Sequence, residues 1–359
     1  MERLEMASSS FSSQQVRVFD DSIMDQELYE NYIQKHPESM FFHSYSYIKF
    51  LQEILNIIPY HLLAFDNGIL VGVLPLLLKN GPLGKVYNSL PYYGSNGGVL
   101  ADNIEIAKEL IFAYNQVISE DDVLGSVWVE NLQSQNNYKE LVKYNLEDFR
   151  IGQLTSIAYS ENHGDNLMES FHYKTRNMVR KGIKSEFDIS VNNATVEFLR
   201  EVHVENMSAI GGKAKSSDFF KFPDYFIADQ DYKIWVASYQ GEPVAALLLF
   251  YFKDIVEYYT PVIRESFRDK QPLSHLIFSA MTDASERGYK LWNWGGTWAT
   301  QTGVYTFKKR WGTFDKEYKY LIQMNKEDVF SQTAGYLLEN YSDFFVVPFN
   351  LLKSNINET

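Results

Sequence analysis

Apolar residues recur every three or four positions over Asp25–His36 and again over Ser44–Asn56, where Tyr47, Ile48, Leu51, Ile54 and Leu55 share one face. Both segments predict amphipathic helices. The pattern then changes. His61–Asp66 reads as a strand, Asn67-Gly68 as a two-residue hairpin turn, and Ile69–Leu78 as the return strand. Lys85–Leu90 extends the sheet, Ile104–Ile118 returns to helical spacing, and Gly125–Glu130 is a further strand carrying Trp128. The same order recurs downstream. Lys233–Gln240 and Pro243–Phe252 form a hairpin about Gly241, Ile255–Thr260 is the third strand, Pro272–Arg287 a helix, and Lys290–Trp294 a strand carrying Trp292. Hairpin, strand, helix, strand, repeated once, predicts a duplicated α/β (α+β) architecture of mostly antiparallel sheets flanked by helices. The expected units are an N-terminal domain over 1–155, a C-terminal domain over 156–328 and a helical tail over 329–359.

Composition adds a few limits. A chain of 359 residues suits two cores. Aromatic residues make up 16% of it, which favours large cores and many strands. There is no cysteine, so disulfides, thiolate metal sites and a thiol nucleophile are excluded. The seven histidines form no close pair, and no metal site is expected. The N-terminus lacks the apolar stretch of a signal peptide, and the longest apolar runs, Ile69–Leu78 and Val244–Phe252, are about half of what a spanning helix needs. The expectation is a cytoplasmic protein without a transmembrane segment.

The net charge of −13 argues against broad DNA or RNA binding. Against that background, the stretch between Phe171 and Ser185 holds five Lys or Arg and no acid. Arg176, Arg180 and Lys184 are spaced by four and share a helix face, which makes this face a candidate anion site as well as an ordinary solvated one. Far downstream, Trp292-Asn-Trp-Gly-Gly-Thr297 and Phe307-Lys-Lys-Arg-Trp-Gly312 read as a second wall. Gly295 and Gly296 would admit a substrate close to the backbone, or simply make a turn.

Three stretches together carry a resemblance: Phe42–Lys49, Tyr173–Lys181, and the Trp-Gly-Gly to Phe-Lys-Lys-Arg-Trp-Gly segment. In order and spacing they resemble the FemAB-like branch of the GNAT acyltransferase superfamily, over roughly residues 40–325. The resemblance implies tandem GNAT-like domains and transfer of an acyl or aminoacyl group to an amine. It implies no permanently bound cofactor. The donor would be acyl-CoA or an aminoacyl-tRNA, so tRNA enters as a partner through the donor. The acceptor would be a small molecule or a lipid-linked, phosphate-bearing or cell-envelope precursor. By the same resemblance Lys49, Tyr93, Arg176 and Arg180 would bind the acceptor, and Lys308 would lie at the reacting end.

Two positions depart from the family pattern. Asn293 stands where many relatives have Asp, and an amide cannot act as a base. The stretch Arg268–Ser274 lacks the glycines with which CoA-using relatives cradle pyrophosphate, leaving Arg268, Lys270 and a helix start at Pro272. On chemical grounds, Tyr258 or Tyr259 could protonate a leaving group, Glu257 could accept a proton, and Thr260-Pro261 is where the strands should splay. Three readings remain: an acyl or aminoacyl N-transferase with a phosphate-bearing acceptor, an acyl-CoA-dependent N-acetyltransferase of a small amine, and a silent module binding a nucleotide-sugar or glycan. Oligomeric state is not legible.

Overall fold

The computed structural model describes residues 14–20, 22–90, 96–159 and 163–352. The N-terminal half begins with β1 (Gln14–Val18), α1 (Ile23–Lys35), α2 (Tyr45–Leu55) and β2 (Ile58–Pro59). Ser44 caps α2 through its hydroxyl, and Asn56 ends it in the left-handed conformation that a short polar side chain tolerates. The hairpin follows as β3 (Leu62–Asp66) and β4 (Ile69–Leu74), with positive φ at both Asn67 and Gly68 as a primed turn requires. Next come β5 (Leu77–Gly81), β6 (Gly84–Asn88), β7 (Leu100–Ala101), α3 (Ile104–Val117) and β8 (Val123–Val129). The expected single strand Ile69–Leu78 is therefore two. Pro75 has no N–H to give a ladder, and Leu76 N donates to His61 Nδ1 instead, so β4 and β5 enter different sheets.

A long strand, β9 (Leu146–Ser156), leads to α4 (His163–Ser170), α5 (Tyr173–Lys184), β10 (Asp188–Val191) and α6 (Val196–Ala209). The second hairpin is β11 (Tyr232–Tyr239) with β12 (Glu242–Phe252), followed by β13 (Ile255–Ile263), α7 (Pro272–Glu286), β14 (Leu291–Thr297), α8 (Thr302–Lys309), β15 (Phe314–Met324) and α9 (Ala334–Asn340).

The repeat is visible in the pairing. β6 and β8 are parallel neighbours joined through α3, and β13 and β14 are parallel neighbours joined through α7. These are the two copies of the repeated unit. An eleven-stranded sheet in the order β10-β11-β12-β13-β14-β9-β15-β8-β6-β5-β2 runs through both, and β1-β3-β4-β7 form a second, smaller sheet. The strands β9 and β15 stitch the halves together, β15 pairing with β9 on one edge and β8 on the other. Their polar alternation hid them from the hydrophobic reading.

The aromatic residues are largely mortar between the halves. Phe41 stacks on Phe250 at 4.5 Å, and Phe50 of α2 packs edge-on against Phe219 and Phe226. Among the described residues the tail is helical only in pieces: α9 spans seven residues, and the rest up to Leu352 lies as coil and short 3-10 turns. It packs on the N-terminal half, where the Tyr341 hydroxyl donates to Gly84 O and accepts from Leu83 N. Among the described residues no helix is long and apolar enough to cross a membrane.

Candidate active site

The two parallel pairs differ where it matters. In the N-terminal half, β6 and β8 stay paired from Lys85–Val123 to Asn88–Val127. Beyond that, Ser89 N donates to Val127 O, and the Ser89 hydroxyl accepts from Val129 N. In the C-terminal half, β13 and β14 pair only at Ile255–Leu291, Val256–Trp292 and Glu257–Asn293. Past that point the ladder ends. On β13 a bulge at Tyr259 breaks the register with β12, and on β14 Trp294 and Gly295 leave the register with β9. The strands thus open after Glu257 and Asn293, three residues before the expected Thr260-Pro261, because pairing stops at the buried side-chain contact described next.

Glu257 and Asn293 sit at the apex of this gap, and both are buried. Asn293 Nδ2 donates to Glu257 Oε2 at 2.8 Å, and Asn293 Oδ1 accepts from Gly295 N at 2.9 Å. Glu257 Oε1 has no hydrogen-bond partner among the described residues. Burial pushes the Glu257 carboxyl up to about 8, with the Asn293 amide pulling weakly the other way. Asn293 therefore orients the carboxyl of its partner across the strands.

Lys308 approaches the gap from α8. This part of the second wall is helical, with Phe307 packed on Trp294 and Trp311. That anchor directs Lys308 inward. Its ammonium donates to Gly295 O and Gly296 O, each at 3.3 Å, and to Thr297 Oγ1 at 2.9 Å. Burial lowers its pKa to about 8. Gly295 has φ +74°, and a Cβ on Gly296 would meet the Tyr318 hydroxyl at 2.0 Å, so both glycines are required by the backbone. Lys309, next along, is exposed and paired with Asp315 at 3.0 Å.

The two tyrosines divide between the sheet faces. Tyr258 is packed with Trp292 and Trp294. Tyr259 lies on the opposite side, its hydroxyl 3.2 Å from that of Tyr47 and its ring against Phe219 and Phe250. There Lys215, which the sequence reading missed, donates to Thr260 Oγ1 at 2.8 Å and lies over the rings of Phe219 and Tyr259. Burial lowers its pKa to about 7. It belongs to a Gly-Gly-Lys-Ala-Lys loop with no periodicity, and only the fold brings it to β13.

The remaining candidates sit elsewhere. Lys49 is half-buried on α2, over the Tyr45 ring at 5.3 Å. Tyr93 lies outside the described residues. Arg176 does not point into a cleft between the halves; its guanidinium donates to Phe171 O and Glu169 O, tying α5 to the end of α4. Arg180 is exposed. The buried face of α5, with Thr175, Val179 and Gly182, lies on α7, and this turns the basic face outward. Arg268 is exposed and paired with Glu265, and Lys270 lies over Tyr239 and Phe267. The first turn of α7 is covered. A Cβ on Gly182 would stand 2.5 Å from Gln271 O and 3.3 Å from His275 N.

Residues 170–309 match the family model described as an acetyltransferase (GNAT) domain. By sequence, no curated protein matches the chain. Among solved structures, FemX is similar with a TM-score of 0.66 at 15% identity, over 82% of this chain and 96% of FemX. A conserved protein of unknown function from Bacteroides thetaiotaomicron has a TM-score of 0.60 at 8% identity, over 87% of this chain and 100% of its own. A C-terminal domain ascribed to a lysylphosphatidylglycerol synthetase of Agrobacterium fabrum has a TM-score of 0.53 at 10% identity, over 90% of this chain and 98% of its own. The matched segment contains the open strand pair, Glu257, Asn293 and Lys308, and the fold of the chain is similar to that of FemX.

Proposed function

We propose that the chain transfers an acyl or aminoacyl group to an amine in the gap between β13 and β14, and that the acceptor is a precursor of the cell envelope. The observation that carries this reading is the buried Glu257 carboxyl at the apex of the gap, with one oxygen held by Asn293 and the other without a partner among the described residues. A carboxyl raised to about 8 suits proton removal from an amine far better than an ordinary one.

The reaction then runs as follows. The amine nitrogen attacks the donor carbonyl, its proton passes to Glu257, and the C–O or C–S bond to the leaving group breaks. In this reading the Tyr259 hydroxyl, 3.2 Å from that of Tyr47, returns a proton to the leaving oxygen or sulfur. Lys308, desolvated beside Gly295 and Gly296, offsets the negative charge that develops on the carbonyl oxygen. The donor is a phosphate-bearing ester or thioester. Because α5 covers the start of α7, its phosphates fall to the exposed cations of α5, Lys174, Arg180, Lys181 and Lys184, rather than to a glycine turn. We place the reaction in the cytoplasm, which suits a chain without cysteine.

The test is a donor and acceptor panel. Acyl-CoA esters and aminoacyl-tRNAs are offered with amine-bearing envelope precursors, and amide product is measured for wild type and Glu257→Gln. Product that depends on Glu257 with at least one pair is expected. Equal product from the variant would remove Glu257 from the mechanism. A second reading, a silent module, gives no role to a buried carboxyl whose Oε1 has no hydrogen-bond partner among the described residues.

A further inference from the structure

A cavity of about 580 Å³ lies between the C-terminal tail and the edge formed by β9 and the segment after β14. This volume falls within the usual range for small-molecule sites, about 300–1,000 Å³. Its floor is buried and apolar, with Leu337, Phe344 and Val347. Its rim is apolar too, yet exposed: Phe149 is 42% accessible and Trp298 and Leu338 40% each. Large side chains left this open around a hollow mark a surface that something apolar covers. The polar groups of the wall are few. The carboxylate among them, Asp148, is already 2.8 Å from the Arg150 guanidinium, which is itself buried under the Trp298 ring at 3.5 Å. The wall offers contact area and little hydrogen bonding.

That chemistry selects the occupant. A peptide segment would bring backbone N–H and C=O groups that this wall cannot satisfy. The sequence after Leu352, Lys-Ser-Asn-Ile-Asn-Glu-Thr, holds one apolar side chain in seven. A linear alkyl chain needs only apolar contact. The cavity begins where β14 ends: Trp298 of its rim follows Thr297 in the chain, and the Thr297 hydroxyl accepts from Lys308 Nζ at 2.9 Å. We infer that the cavity holds the alkyl tail of the acyl group being transferred, with its carbonyl at the Thr297–Lys308 end, so that the donor carries a long-chain fatty acyl group. This rests on the transferase reading above, and it commits that reading to one class of acyl group.

The experiment is calorimetric titration of the full chain with octanoate, decanoate, dodecanoate and tetradecanoate. Affinity should rise by about fourfold per methylene until the cavity is full. Ala299→Trp, on the exposed loop that lines the cavity, fills the space, and Leu338→Glu puts a charge on the rim; each should flatten the series without lowering Tm. Lys308→Met should keep the increment per methylene while transfer is lost, so a failure of the transfer chemistry is read separately from a failure of the pocket. Affinity independent of chain length in wild type, or an unchanged series in Ala299→Trp, would overturn the inference. So would a steeper series for alkyl amines than for carboxylates, which would assign the chain to the acceptor.

Discussion

At the scale of single residues, the site trades stability for chemistry, and the trade has a sign. Glu257 has its folded pKa raised from 4.5 to about 8, so the folded state binds a proton more tightly than the unfolded chain. Stability contributed by the protonated carboxyl is full below the unfolded value and is lost as pH rises toward 8. Lys308 runs the other way: with its pKa lowered from 10.5 to about 8, it costs stability at low pH and recovers it as pH rises from about 8 to 10.5. Glu257→Gln should remove the acid-side slope, so that urea unfolding of wild type and variant diverges between pH 5 and pH 8 by on the order of a few kcal/mol in favour of the variant. Turnover of that variant should fall by roughly two to four orders of magnitude. A parallel pH dependence of the two proteins would show that Glu257 is not the buried titrating group. Glu257 and Lys308 were legible in the sequence because they flank glycine, tyrosine and phenylalanine in short signatures. Asn293 read as a lost base, since its partner lies across a strand pairing 36 residues away in sequence. Lys215 had no local signature.

At the scale of elements, the proposed function depends on one parallel strand pair opening while its counterpart stays closed. Periodicity found both pairs and their helices α3 and α7, because apolar alternation and helical spacing are local properties. It could not tell an open pair from a closed one, which depends on where cross-strand hydrogen bonds stop. It found no helix at α8, where Phe307 packs on Trp294 and Trp311. It read α5 as an acid-free face and left open whether the face was buried. The close approach of α5 to α7 is testable. Gly182→Ala would place a methyl group 2.5 Å from Gln271 O, and the overpacking should cost about 1–3 kcal/mol, read as a lower Tm. Gly303→Ala, with open space around its Cβ position, is the control and should be nearly neutral. Equal shifts would mean that α5 is free to lift from α7.

At the scale of the whole molecule, the duplication was legible and the way its copies are joined was not. β15 comes after the second unit in sequence but pairs with β8 of the first, and the tail then packs on the first half. Such long-range pairing leaves no periodic trace. It implies that the halves do not separate cleanly: a fragment of residues 1–155 would expose β8, all seven of whose residues are buried in the intact chain. That fragment should be insoluble or aggregate through its open edge, and recovery of a soluble, cooperatively folding monomer would contradict the stitched architecture. The same stitching holds β14 between β13 and β9, and so holds the gap in which transfer is placed. The most direct test of that placement compares turnover of Lys308→Met and Lys309→Met with wild type in the same assay. Both remove one charge from α8, but only Lys308 is buried at the gap, while Lys309 is paired with Asp315 at the surface. Loss of one oriented electrostatic contact costs about 2.7–4 kcal/mol in the barrier, so Lys308→Met should lose roughly two to three orders of magnitude in kcat with little change in Tm, and Lys309→Met should stay near wild type. Equal losses in the two variants would contradict a reaction centre between β13 and β14.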